Sequence, residues 1–141
     1  MPLKKVLFVC YGNSVRSQMA EGFARAYGTD VMQPFSAGLV PTTLIAPLTR
    51  SAMLAKNIRL DDQFAKGLDA FGTERFDVVV NMSGHPLTIR NVPAARDGVL
   101  IEWKVKDPMG SGERAYRKTA DLIEGFVMRL IIEMRPKAPV R

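Results

Sequence analysis

Apolar positions along this chain switch repeatedly between continuous runs and helical spacing. Val6-Leu7-Phe8-Val9 is unbroken apolar sequence, the pattern of a strand buried on both faces, and predicts a strand over 6–10. Met19, Phe23 and Tyr27 then recur every fourth residue, predicting a helix over 16–27 with Gly28 as its stop. A second strand is expected over 31–37. Pro34 inside it has no amide hydrogen for a ladder, so this strand belongs at a sheet edge. A short helix over 47–56 would turn Leu48, Ala52 and Ala55 inward. Residues 76–82 and 98–102 read as two more strands. Tyr116, Ala120, Ile123, Val127, Leu130 and Met134 alternate spacings of four and three, which predicts a long amphipathic helix over 112–135, ended by Pro136. Residues 136–141 read as a frayed tail.

Strands alternating with helices predict the α/β class: a four-stranded parallel sheet with helices on both faces and right-handed crossovers. Nothing in the pattern marks a linker or repeat, so residues 1–141 read as a single domain. In such sheets ligands bind beyond the carboxyl ends of the strands.

Composition narrows the class. Hydrophobic content of 47% and charged content of 24% are globular values that exclude disordered and collagen-like chains. One cysteine cannot form an internal disulfide, which fits a reducing compartment, and a cytoplasmic location is expected. The apolar run after Lys4 and Lys5 stops at Tyr11-Gly12-Asn13, too short for a secretory signal, and no run approaches the ~18 residues of a membrane span. A net charge of +6 could steer anionic substrates; dispersed as it is, it also reads as a solvated surface. No basic patch interleaved with aromatics points to nucleic acid.

The chemistry gathers in Cys10-Tyr11-Gly12-Asn13-Ser14-Val15-Arg16-Ser17, at the junction of the first strand and first helix. A strand, a polar loop and a helix N-terminus together form an anion site, built from convergent amides and the positive end of the helix dipole. An oxyanion there would meet the backbone of Tyr11, Gly12, Asn13, Ser14, Val15, Arg16 and Ser17. Gly12 permits close approach, Asn13 and Ser14 can bond locally and hold the loop open, and the Arg16 fork can grip two oxygens. The same surroundings favour a Cys10 thiolate, a nucleophile, and Ser17 is placed to donate a hydrogen bond to the sulfur. A small cysteine packed as a hydrophobe is the competing reading.

This octapeptide resembles the signature of the low-molecular-weight protein tyrosine phosphatases and of the arsenate reductases that share their fold. Ser36-Ala37-Gly38 after the second strand, Val78-Val79-Val80-Asn81-Met82, and Asp107-Pro108 before a long C-terminal helix extend the resemblance over roughly residues 4–135. It implies Cys10 as nucleophile, Arg16 as oxyanion clamp, Ser17 as stabiliser of the leaving thiolate, Asp107 as general acid, and Asn13 and Ser36 as loop supports. By its residues alone, Asp107-Pro108 is equally a turn starter.

The resemblance leaves two branches open. Ester hydrolysis needs one thiol, one arginine and one acid. Reduction of arsenate needs further thiols, and the thioredoxin-coupled branch carries them where this chain has Ser83 and, nearby, Arg90. A phosphatase acting on a phosphorylated protein or small phosphomonoester is therefore expected, or else a reductase of arsenate that borrows glutathione or another small thiol. A non-catalytic phosphate-binding adaptor would need neither Cys10 nor Asp107. Against the phosphatase spelling, Gln18 and Met109 stand where that branch often has proline and an aromatic, and Trp103 before Asp107-Pro108 matches the reductase spelling. The loop 39–48 also lacks an aromatic wall. No metal or organic cofactor is expected: His85 is the one histidine, distant in sequence from Cys10, and reads as a loop hydrogen-bonder. Asp61-Asp62 reads as a structural turn.

Overall fold

The computed structural model describes residues 3–87 and 98–136. Four strands, β1 (Lys4–Cys10), β2 (Met32–Gly38), β3 (Val78–Asn81) and β4 (Val99–Glu102), alternate with helices α1 (Arg16–Tyr27), α2 (Pro47–Leu54) and α3 (Glu113–Met134). The strands form one parallel sheet in the order β2-β1-β3-β4. Pro34 thus lies on an edge strand, where its missing amide hydrogen leaves no ladder bond unmade.

Side chains of β1 alternate between two cores. Val6, Phe8 and Cys10 face α1, α2 and α3, packed with Met19, Phe23, Ala120, Ile123 and Val127. Leu7 and Val9 face the other side, with Val79, Phe76 and Leu87. There the sheet is covered by the short 3₁₀ helix Leu68–Phe71 and by Phe35, Phe71 and Phe76, whose rings meet edge to face at 5.3 to 5.7 Å. Complete burial of each such side chain contributes about 1.5–3 kcal/mol, which is why β1 reads as unbroken apolar sequence.

Two local expectations are revised, the inward face of α2 and the length of the third strand. α2 turns Thr49, Ala52 and Met53 inward, while Leu48 is half-buried and Ala55, beyond the helix end, is exposed. A threonine replaces an apolar residue on that face because its hydroxyl donates to the Ser14 carbonyl at 2.9 Å. Tyr27 is exposed and lies flat on Phe23, ring centroids 6.5 Å apart. Gly28 ends α1 without left-handed backbone; a Cβ there would meet Ile131 of α3 at 2.8 Å, so close helix packing requires the glycine. The third ladder is shorter than 76–82, because Phe76 leaves it for the aromatic cluster. Residues 137–141 of the expected tail lie outside the described residues, as does Arg90. Among the described residues, no helix is long and apolar enough to cross a membrane.

Candidate active site

β1 ends at Cys10 and α1 begins at Arg16, so the intervening loop sits at the carboxyl edge of the sheet beneath a helix N-terminus. Its carbonyls are bound from outside. The amides of Leu39, Val40, Thr42 and Ala46 donate to the carbonyls of Cys10, Tyr11, Gly12 and Ser14 at 2.8 to 3.2 Å. In a trans peptide the next residue's N–H points opposite the carbonyl, so this outer clamp turns the following amides the other way and leaves them for an anion. Gly38 presses against the loop so closely that a Cβ would stand 2.8 Å from Tyr11 O, the Gly12 carbonyl carbon and Asn13 N.

Asn13 is held in left-handed backbone at φ 53°, a conformation that asparagine tolerates better than most residues. A directed chain of hydrogen bonds fixes its side chain. Gln63 Nε2 donates to Gln18 Oε1 at 2.7 Å, Gln18 Nε2 to Asn13 Oδ1 at 2.8 Å, and Asn13 Nδ2 to Ser17 Oγ at 2.7 Å. Because Ser17 Oγ accepts from an amide that can only donate, its own proton is available to the Cys10 sulfur 2.8 Å away. Every donor in the series points toward that sulfur, and all its residues are buried. The backbone amide of Lys66 adds a second donor to Asn13 Oδ1 at 3.0 Å.

Arg16 is buried, with Nη1 donating to the carbonyls of Met82, just past β3, and of Val105 at 3.1 Å, beyond β4. Nη2 faces Asp107 Oδ2 at 3.5 Å. The other Asp107 oxygen accepts the Met109 amide at 3.0 Å. One Asp107 oxygen thus caps the turn that Asp-Pro starts, while the carboxylate, 40% exposed, faces the arginine. Cys10, Arg16, Asp107 and Met109 border a single small cavity together with Gly12, Ser14 and Val15. Tyr116 of α3 is a neighbour of this corner; burial foremost, then the Asp107 carboxylate, pushes its phenol up. Sequence periodicity placed Tyr116 in the core, and nothing in its spacing marked it as a neighbour of the site.

Ser36 lies behind the loop and reaches it only through intermediaries. Its hydroxyl donates to Glu21 Oε1 at 2.5 Å and accepts from Lys66 Nζ at 3.4 Å. Buried Glu21 also pairs with Arg25 at 2.6 Å and faces the Lys66 ammonium at 3.7 Å. Burial holds the Lys66 amine below its ordinary value, with the Arg25 charge acting the same way against the pull of Glu21. Gln18, Gln63, Lys66 and Gly38 thus belong to the scaffold, though sequence reasoning did not single them out for it. Of these, only Gly38 carried a signal, a glycine directly after a strand.

Tyr11 is 45% exposed, and its ring lies 5.5 Å from that of His85. Among the described residues, the hydrogen bonds of His85 are made by its backbone: its carbonyl accepts from Asn81 Nδ2 at 2.7 Å and its amide donates to Ser83 Oγ at 3.0 Å. Trp103 is packed between Phe8 and Phe126, 5.0 Å from the latter. Among the described residues, no cluster of three or more His, Cys, Asp or Glu side chains is placed to hold a metal ion.

Known proteins are similar to this chain in sequence and fold. The glutaredoxin arsenate reductase of Synechocystis is 29% identical over 94% of this chain and 99% of its own. A solved arsenate reductase in its phosphate-binding state superposes with a TM-score of 0.84 at 28% identity, covering 94% of this chain and all of the other. The arginine phosphatase YwlE of Geobacillus stearothermophilus shares the fold, with a TM-score of 0.77 at 22% identity over 92% of each chain. The family of low molecular weight phosphotyrosine protein phosphatases matches residues 5–139, and the chain belongs to it.

Proposed function

We propose that this protein hydrolyses phosphate monoesters through a phosphocysteine on Cys10. One observation carries the reading: Cys10 and Asp107 border the same small cavity in a chain with no second cysteine. The Cys10 thiolate attacks phosphorus while Arg16 and the loop amides hold the non-bridging oxygens. As the P–O bond breaks, Asp107 gives its proton to the leaving oxygen. The Asp107 carboxylate then takes a proton from the water that attacks the phosphocysteine. The S–P bond breaks and the sulfur departs as a thiolate hydrogen-bonded to Ser17. Asn13 and Ser36 act as supports, Asn13 directly and Ser36 through Lys66. An oxyanion entering this cavity displaces the Asp107 carboxylate from Arg16, which frees that carboxyl for proton transfer.

The names of the relatives favour a second reading, arsenate reduction with an external thiol. Cys10 would bond to arsenic with loss of water. The external thiol would attack the Cys10 sulfur, releasing arsenite as arsenic(V) becomes arsenic(III) and a mixed disulfide forms. A second thiol would then restore Cys10. A paired assay separates the readings: p-nitrophenyl phosphate hydrolysis beside arsenate reduction with glutathione, each with Cys10→Ser as the blank. Hydrolysis lost in Cys10→Ser is the expected result; thiol-dependent reduction without hydrolysis replaces the first reading with the second.

A further inference from the structure

A surface groove of about 690 Å³ lies beside the cavity at Cys10, walled by the segments that anchor Arg16. Met82 and Val105, whose carbonyls hold the guanidinium, line it. One rim is Gly84, His85 and Pro86, with the His85 ring against Tyr11; the other is Trp103, Lys104 and Lys106. Lys104 and Lys106 are exposed on either side of buried Val105, and neither has a hydrogen-bond or ion-pair partner among the described residues. Glu102, which also lines the groove, accepts two hydrogen bonds from Asn81 Nδ2, at 3.0 and 3.2 Å.

We propose that this groove receives the leaving-group side of the substrate and selects an acidic phosphopeptide. The proposal rests on ester hydrolysis at Cys10. Asp107 fixes the direction: a general acid must face the leaving oxygen, and the residue before it, Lys106, opens the groove. Whatever bears the leaving oxygen therefore continues past Asp107 toward the two lysines. Their spacing of two residues, about 7 Å in extended chain, matches carboxylates on alternate residues of an extended peptide. The Tyr11–His85 pair offers, on the opposite rim, the aromatic surface that the 39–48 loop lacks. A groove of this size suits several residues of peptide, far more than a small aryl phosphate fills.

The test compares three substrates: p-nitrophenyl phosphate, a phosphotyrosine peptide flanked by Asp and Glu, and one flanked by Ser and Ala. The double variant Lys104→Glu/Lys106→Glu should lower kcat/KM for the acidic peptide about tenfold, mostly through KM, because two exposed attractions become repulsions. Its turnover of the neutral peptide and of p-nitrophenyl phosphate should stay within about twofold. For the parent, added salt should weaken the preference for the acidic peptide. Equal use of both peptides by the parent, or an equal loss on both in the variant, overturns the proposal. If p-nitrophenyl phosphate is not hydrolysed, the hydrolytic reading fails by itself. Fluorescence anisotropy of the labelled acidic phosphopeptide on Cys10→Ser then decides about the groove: binding that disappears with the charge reversal retains it, and absent or charge-insensitive binding overturns it. Displacement of the peptide by glutathione at equal concentration would reassign the groove to a thiol co-substrate and also overturn the proposal.

Discussion

Gln63→Leu tests whether the loop from Cys10 to Ser17 depends on a residue that does not border its cavity. Gln63 Nε2 supplies hydrogen bonds to Gln18 Oε1 at 2.7 Å and to the Gln18 carbonyl at 3.1 Å, and both glutamines are buried. Leucine keeps most of the volume and removes both donors. Two buried acceptors are then left short, at about 1–3 kcal/mol for each buried group left unsatisfied. Since the Gln18 carbonyl sits in α1 and keeps part of its bonding, a loss near 2–3 kcal/mol is expected. At about 3 °C per kcal/mol for a chain of this size, the melting temperature should fall by roughly 6–9 °C. The loss also reaches the loop, because Gln18 Oε1 loses the partner that orients its amide toward Asn13. Phosphate should bind less tightly and kcat/KM for p-nitrophenyl phosphate should drop about tenfold, as loosened positioning weakens the transition state. Thermal unfolding, phosphate competition and steady-state kinetics read the three effects. Gln63→Glu should be worse than Gln63→Leu, since an ionised carboxylate can only accept and would face the Gln18 oxygen. A Gln63→Leu protein with unchanged melting temperature and kinetics would refute the reasoning.

The remaining predictions concern packing, the sulfur and pH. Gly38→Ala should force the loop back by about 0.6 Å, the gap between 2.8 Å and the 3.4 Å at which ordinary contact begins, costing about 1–3 kcal/mol in urea unfolding and up to a hundredfold in kcat/KM. Gly125→Ala, on a helix face with nothing within 4 Å, should instead stabilise α3 by up to about 1 kcal/mol and leave turnover unchanged. Ser17→Ala should slow hydrolysis of the phosphocysteine more than its formation, so that rapid-quench experiments detect more of the intermediate. Asp121 and Glu124 hold the Lys56 ammonium above 10.5, so the stability it contributes is complete below that value and is lost as pH rises through the higher folded value. Lys56→Met should therefore lower the urea midpoint at pH 8 by a small amount, and the difference should vanish in strongly alkaline solution.

Much of this molecule was legible because its determinants are periodic or local. The unbroken runs around Phe8 and Val79 announced interior strands, Pro34 announced an edge, and the spacing from Tyr116 to Met134 announced α3. Residues 10–17 announced the loop, because glycine, small polar residues and arginine are what an anion asks of a backbone. The buttress behind the loop was not legible. Gln63 and Lys66 occupy irregular chain with no period, and they act through side-chain and backbone donors whose targets lie 45 and 53 residues away. The face of α2 was misread for a related reason: Thr49 is inward because of a hydrogen bond to Ser14, which hydrophobicity does not register. His85, read as a loop hydrogen-bonder, bonds within its loop through its backbone, while its ring meets Tyr11.

The way Arg16 is anchored carries an entropic consequence. A free arginine side chain has about 2 kcal/mol of rotamer freedom, which an anion site built on a mobile arginine must remove each time it captures its ligand. Here the carbonyls of Met82 and Val105 immobilise one edge of the guanidinium, so that freedom is surrendered at folding. On the proposed reading, an oxyanion would then exchange one partner of Nη2 for another, with little further ordering of the fork.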